Sequence, residues 1–176
     1  TKFFLSEFDV IMLSKELLNK FTSLETPFYY YDLNLLNQTL EALNKESSKR
    51  NYKVHYALKA ISNDKILKMI KEFGLGADCV SGNEVDKAIQ IGFENNEIVF
   101  AGVGKSDKEI LTALKNKIFC FNVESMQELE VINSLASSMN QTAQIAIRIN
   151  PNIDANTHHY ITTGLEENKF GINVWE

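Results

Sequence analysis

The sequence predicts an α/β fold, a partial (β/α)8 TIM-type barrel with parallel strands, of which about five βα units are present. The first observation behind this is a rhythm. Strand-like runs at "KVHYALKA", "GADCVS", "EIVFAG", "IFCFNV" and "AQIAIRIN" begin roughly 20 to 25 residues apart, with helix-like segments between them. The second is a recurring difference between the two faces of those runs. Val54, Tyr56 and Leu58 alternate with His55, Ala57 and Lys59; Phe119, Phe121 and Val123 with Cys120, Asn122 and Glu124; Ile145, Ile147 and Ile149 with Gln144, Ala146, Arg148 and Asn150. A central strand of an open doubly wound sheet is covered by helices on both sides and is apolar on both. A barrel strand keeps one face for the helices and turns the other to a confined interior, where polar groups near the strand ends build a site. The third observation is continuity: two prolines, eight glycines and no low-complexity tract leave the repeat uninterrupted.

In chain order, "TPFYYYD", residues 26 to 32, reads as an additional strand ahead of the repeat, followed by a helix near residues 33 to 48. The expected boundary therefore lies between an N-terminal segment, 1–32, and the barrel portion, 33–176. After the first strand come "SNDKILKMIKEFG", "GNEVDKAIQIG", "SDKEILTALKN" and "SMQELEVINSLASS", each separated from the next by one strand run. Several open on Ser, Asn or Asp in the capping position and two close on Gly, which are helix start and stop signals.

Composition narrows the function classes. Apolar residues make up 44% of the 176, charged residues 23%, and the net charge is −5, so neither a disordered chain nor a basic nucleic-acid binder is expected. A small anionic or zwitterionic ligand remains compatible, because a local site can be positive in an acidic protein. No apolar run approaches the roughly 20 residues that cross a bilayer, and the opening "TKFFLSEFDVIMLSKELL" has acids where a signal peptide has its apolar centre. The expectation is a cytoplasmic protein without membrane contact, and Cys79 and Cys120 are too few for a disulfide framework. A start at Thr1 and an end on "NVWE" suggest part of a longer chain.

On the barrel reading Lys59 is the last inward residue of the first strand and Arg148 lies near the end of the fifth, so both point into one mouth. A lysine beside a second cation in a confined site is pushed towards its neutral amine, the form that attacks a carbonyl, which makes Lys59 a candidate Schiff-base residue. A salt-bridged or snorkelling lysine at a strand end fits the same pattern. Asp78 and Glu84 flank the turn-rich "GLGADCVSGNE"; they either orient a cationic ring or balance the lysine and arginine, or they serve as an acidic first helical turn. "AGVGKS" fails as a phosphate loop because Val99 stands where the motif needs glycine. His158 and His159 are adjacent, point apart and have no acid or thiol at ligand spacing, so no metal is expected. His55 reads as a filler of the barrel floor.

These stretches resemble a known group. "HYALKA" resembles the Tyr-Ala-x-Lys-Ala segment of the alanine-racemase-like, barrel-type decarboxylases that use pyridoxal 5'-phosphate, and "GADCVSGNE" resembles a second stretch of the same group. "RINPNIDANTHHYITTGLEENKFGI", residues 148 to 172, is similar to the most distinctive motif of the members that act on meso-2,6-diaminopimelate, and "TPFYYYD" and "FAGVGKSDKEI" fit them too. The resemblance implies that Lys59 carries the cofactor, with Asp78, Arg148 and Glu84 in the cofactor pocket and Lys169 in a structural or interface role. It implies a carboxy-lyase of lysine biosynthesis, making L-lysine and carbon dioxide as a homodimer. The 1–32 strand is expected to pack on a C-terminal β domain. The chain alone is expected to be inactive, because the residues that anchor the phosphate and ring nitrogen lie beyond it. A related decarboxylase of another diamino acid or carboxylated polyamine, and a non-catalytic chain that binds the cofactor or regulates a full-length homologue, are the alternatives. Ile61 and Asn83 depart from the family pattern at positions usually held by asparagine and glycine.

Overall fold

Five short strands pair side by side in sequence order, all parallel, and a helix carries the chain from each strand to the next in the computed structural model of the protein. The structure describes residues 14–151 and 170–173. They divide between two compact units, Thr1–Asp32 and Leu33–Glu176. In the first, α1 (Lys15–Thr22) is capped by the Ser14 side chain, which accepts the Leu17 N–H, and Phe21 packs its ring against Phe28 and Tyr30. Residues 26–32 form no strand, contrary to the sequence expectation. A strand needs a partner for its backbone groups, and no described strand pairs with this stretch; it stays extended enough for Tyr29 and Tyr31 to stack at 6.4 Å, and Tyr29 is 89% exposed.

The second unit begins with α2 (Leu33–Ser48), then β1 (His55–Ala57), α3 (Asp64–Glu72), β2 (Gly76–Cys79), α4 (Gly82–Ile91), β3 (Ile98–Phe100), α5 (Asp107–Lys115), β4 (Cys120–Val123), α6 (Met126–Ser138) and β5 (Ile145–Ile147). The helix starts are set by side chains: Asn63, Ser81, Ser106 and Ser125 each accept a backbone N–H of the first turn, and Ser106 with Glu109 completes a capping box. Glu109 also accepts the Gly82 N–H at 2.7 Å, tying the start of α5 to that of α4.

Sequential strand order is what a barrel requires; a doubly wound sheet reverses its order at a switch point. The faces agree. Leu58, Ala77, Cys79, Ile98, Phe100, Phe121 and Val123 point outward into one core with Leu67, Ile70, Val85, Ile110 and Ile132 of the helices. Each such fully buried large side chain contributes about 1.5–3 kcal/mol. The outward Ile147 of β5 is 51% exposed, because among the described residues no helix lies beyond β5 to cover it.

Two details differ from the strand pattern. "AQIAIRIN" is not one strand: β5 ends at Ile147, and β6 (Ile149–Asn150) pairs in parallel with β7 (Ile172–Asn173) in a second, two-stranded sheet. Arg148 is the handover, its N–H donating to Val123 O and its carbonyl accepting from Ile172 N–H. Phe119 does not share the face of Phe121 and Val123. It precedes the strand, so the alternation does not govern it, and its ring stacks on His55 at 6.1 Å. A β1 residue thus meets a residue at the start of β4, which shows how strongly the sheet curves. His55 fills the floor, and burial holds its imidazole pKa below the usual value.

Among the described residues no helix is long and apolar enough to cross a membrane. A Cβ on Gly76 would sit 2.4 Å from His55 Cδ2 and 2.5 Å from the Glu97 carbonyl oxygen. Gly76→Ala is therefore expected to lower stability by about 1–3 kcal/mol, through overpacking of a floor that includes rigid backbone. Urea unfolding of the variant and of its combination with His55→Ala checks this: the second change recovers only part of the loss.

Candidate active site

The inward side chains at the C-terminal ends of the strands enclose a cavity of about 730 Å³. Lys59, Asp78, Asn122, Glu124 and Arg148 supply its polar wall, and Gly102 in the loop after β3 supplies backbone. Lys59 sits in the turn that follows β1. That turn is pinned by Leu58, which is buried in the outer core and donates its N–H to the Asp78 carbonyl at 3.0 Å. The turn closes with Ala60 N–H on Ala57 O at 3.1 Å, leaving Lys59 exposed at the cavity. Among the described residues its ammonium forms no hydrogen bond or ion pair.

Asp78 belongs to β2 and is in register with Ala57. Its Oδ1 is buried and has no hydrogen-bond partner among the described residues. Burial pushes the carboxyl pKa up, while the charges of Lys59 and His55 pull it down. An unsatisfied carboxylate oxygen in a cavity wall is an acceptor that lacks a donor.

Arg148 enters from the end of β5. Its Nη1 donates to Glu124 Oε2 at 2.9 Å and its guanidinium lies 5.8 Å from the centre of the Phe170 ring. Phe170 reaches this position because Gly171 (φ +113°) allows the chain to pass close over Arg148; a Cβ there would stand 2.9 Å from the Arg148 carbonyl oxygen.

Lys59, Asp78 and Arg148 are thus brought to one cavity. Glu84, the fourth residue singled out from the sequence, is not. Its carboxylate accepts the Val80 N–H at 2.7 Å at the start of α4, so the acidic-first-turn reading accounts for it. His158, His159 and Lys169, and most of the 148–172 motif, lie outside the described residues. Lys105 of "AGVGKS" is no phosphate ligand: its ammonium pairs with Glu128 and donates to two backbone carbonyls.

Glu124 is the residue that sequence reasoning passed over. Its side chain is 2% exposed, accepts from Gly102 N–H and Arg148, and lines the cavity. The available signal was its phase, inward with Cys120 and Asn122 at the end of the fourth strand run.

Residues 33–176 match the family model described as pyridoxal-dependent decarboxylase, pyridoxal binding domain. The chain is 58% identical over 158 residues to the diaminopimelate decarboxylase of Bacteroides thetaiotaomicron, covering 89% of this chain and 41% of that protein. The crystal structure of diaminopimelate decarboxylase from Helicobacter pylori complexed with L-lysine superposes with a TM-score of 0.80 at 47% identity, covering 89% of this chain and 40% of that one. The corresponding enzyme of M. jannaschii, also in complex with L-lysine, gives 0.70 at 38% identity over 79% of this chain and 34% of its own. The chain thus spans between about a third and two fifths of the length of these relatives.

The raised pKa of Asp78 gives a signed pH dependence. The folded state holds this proton more tightly than the unfolded state, so the contribution favours folding at low pH and is lost as pH rises through the folded pKa. Asp78→Asn is expected to stabilise the protein at neutral pH and to lose that advantage below the ordinary carboxylate range. Urea melts of both proteins from acid to neutral pH read this out, and an offset independent of pH contradicts it.

Proposed function

Because the chain belongs to the pyridoxal-dependent decarboxylases, whose cofactor is pyridoxal phosphate, we propose that it is the cofactor-holding part of an enzyme that decarboxylates meso-2,6-diaminopimelate to L-lysine. The observation that carries the reading is the meeting of Lys59, Asp78 and Arg148 in one cavity at the strand ends. The names of the relatives and the L-lysine in two of the solved structures support the choice of substrate.

The residues present fit the cofactor. The cavity is of ligand size, Lys59 offers an amine with no described partner, and the orphaned Asp78 Oδ1 offers an acceptor. Pyridoxal phosphate, when bound, supplies an electron sink for the pair left behind as carbon dioxide departs. Lys59 would hold it covalently through Nζ, and the same nitrogen, once released, is placed to carry a proton. Asp78 would accept a hydrogen bond at Oδ1 from the bound group. Arg148, fixed at Nη1 by Glu124, would present its remaining N–H groups and its positive charge to the anionic contents of the cavity. On the family resemblance alone, the reading extends to a cytoplasmic homodimer.

The test uses the full-length protein. Borohydride reduction after incubation with pyridoxal phosphate is expected to fix the cofactor on the Lys59 peptide, and labelled carbon dioxide is expected from meso-diaminopimelate. Lys59→Ala is expected to abolish the adduct and lower turnover by at least about a thousandfold, through loss of the covalent anchor. An adduct on another lysine, or faster turnover of another diamino acid or a carboxylated polyamine, overturns the assignment.

A further inference from the structure

We infer that Glu124 is the positioning residue that aims the Arg148 guanidinium into the cavity, and that the buried Lys105–Glu128 pair holds Glu124 in place. The two oxygens of Glu124 are divided between neighbouring loops. Oε1 accepts the Gly102 N–H at 2.8 Å and Oε2 accepts Arg148 Nη1 at 2.9 Å, so one carboxylate joins the loop after β3 to the chain leaving β5. Its own backbone N–H donates to Glu128 Oε2 at 2.9 Å. Glu128 Oε1 in turn takes the Lys105 ammonium at 2.5 Å.

Lys105 is the far anchor. Its side chain is 1% exposed, and besides Glu128 its Nζ donates to the carbonyls of Gly102 at 2.6 Å and Asn122 at 2.9 Å. All three ammonium hydrogens therefore have acceptors. The Phe100 ring lies 5.4 Å away. Two cations and two carboxylates alternate with backbone groups, and each carboxylate has its own cation, which is the condition under which buried charge is tolerated.

The end of this chain that is not buried is Arg148, whose side chain is 45% exposed. A long side chain at a cavity mouth samples many rotamers unless something restrains it. The bond to Glu124 is the ion pair that restrains it among the described residues, beside the Phe170 ring, and the Gly102 N–H on Oε1 keeps the Glu124 side chain from following the arginine while Glu128 fixes the Glu124 backbone N–H. Gly102 is itself part of the cavity wall. Loosening Glu124 therefore loosens two parts of the mouth at once.

The consequence for ligand binding rests on the proposed function; the positioning does not. In the full-length protein labelled with 15N-arginine, the Arg148 Nη1–Hη signal, assigned by its loss in Arg148→Lys, is expected to be resolved and protected from exchange. Glu124→Gln keeps an acceptor for Gly102 N–H and removes the charge from Arg148, so it is expected to broaden or lose that signal with an unchanged melting midpoint. It should weaken pyridoxal phosphate binding roughly tenfold, the scale of one charge-assisted hydrogen bond. In an Arg148→Ala background the same change should weaken binding no further. An unaltered Arg148 signal, or equal weakening in both backgrounds, overturns the inference. Should Glu124→Gln unfold the protein, Glu124→Asp decides: it keeps the charge but is too short to reach both partners, and must loosen the signal. If the wild type takes up no pyridoxal phosphate, the proposed function falls and the guanidinium signal alone decides the role of Glu124.

Discussion

Because neighbouring strands pair in parallel and in sequence order, every connection has to carry the chain back across one face of the sheet before the next strand can begin. Most of the large apolar strand side chains go to that face, where the returning helices cover those of the first four strands. The opposite face is left with small or polar residues, and the ladder brings their C-terminal members to one end. Lys59, Asp78, Asn122, Glu124 and Arg148 share a cavity for this reason, although they are spread over four strands and separated by 19 to 89 residues from Lys59. The pairing that makes the core also makes the site.

Placing charge at such an end raises the problem of desolvation, and the two inward carboxylates meet it differently. Glu124 has a guanidinium on one oxygen and a backbone N–H on the other, so both oxygens are engaged. Asp78 has an oxygen with no donor among the described residues, and burial raises its pKa. One carboxylate is structural within the mouth and the other is available.

Much of this was legible in the sequence. Cap residues such as Asn63, Ser81, Ser106 and Ser125 act on bonds three residues away, so the helices could be placed from local signals alone. Alternation placed Lys59 and Arg148 inward because side-chain period is a local property too. What escaped depends on partners distant in sequence. The end of β5 at Ile147 is decided by Ile172, which captures the Arg148 carbonyl; residues 26–32 have strand composition and no described strand to pair with. Glu84 looked equivalent to Asp78 until the Val80 N–H claimed its carboxylate. Glu124 reads as an inward residue, but nothing local connects it to Arg148 or Gly102.

The position of Lys59 shows how closely these levels are joined. A lysine at the end of a buried strand run is unexplained while the run is taken alone. The strand stops at Ala57, and Leu58 then turns into the outer core while its N–H takes the Asp78 carbonyl. That bond continues the parallel ladder one residue beyond the strand, and it makes the next side chain, Lys59, emerge on the inner face at the height of the Asp78 carboxyl. Asp78 therefore acts twice: its backbone fixes the turn that presents the lysine, and its side chain supplies the opposing charge in the same cavity. An amine with no ion pair among the described residues thus faces the same cavity as an acid whose pKa burial raises. That placement has its origin in the register of two strands.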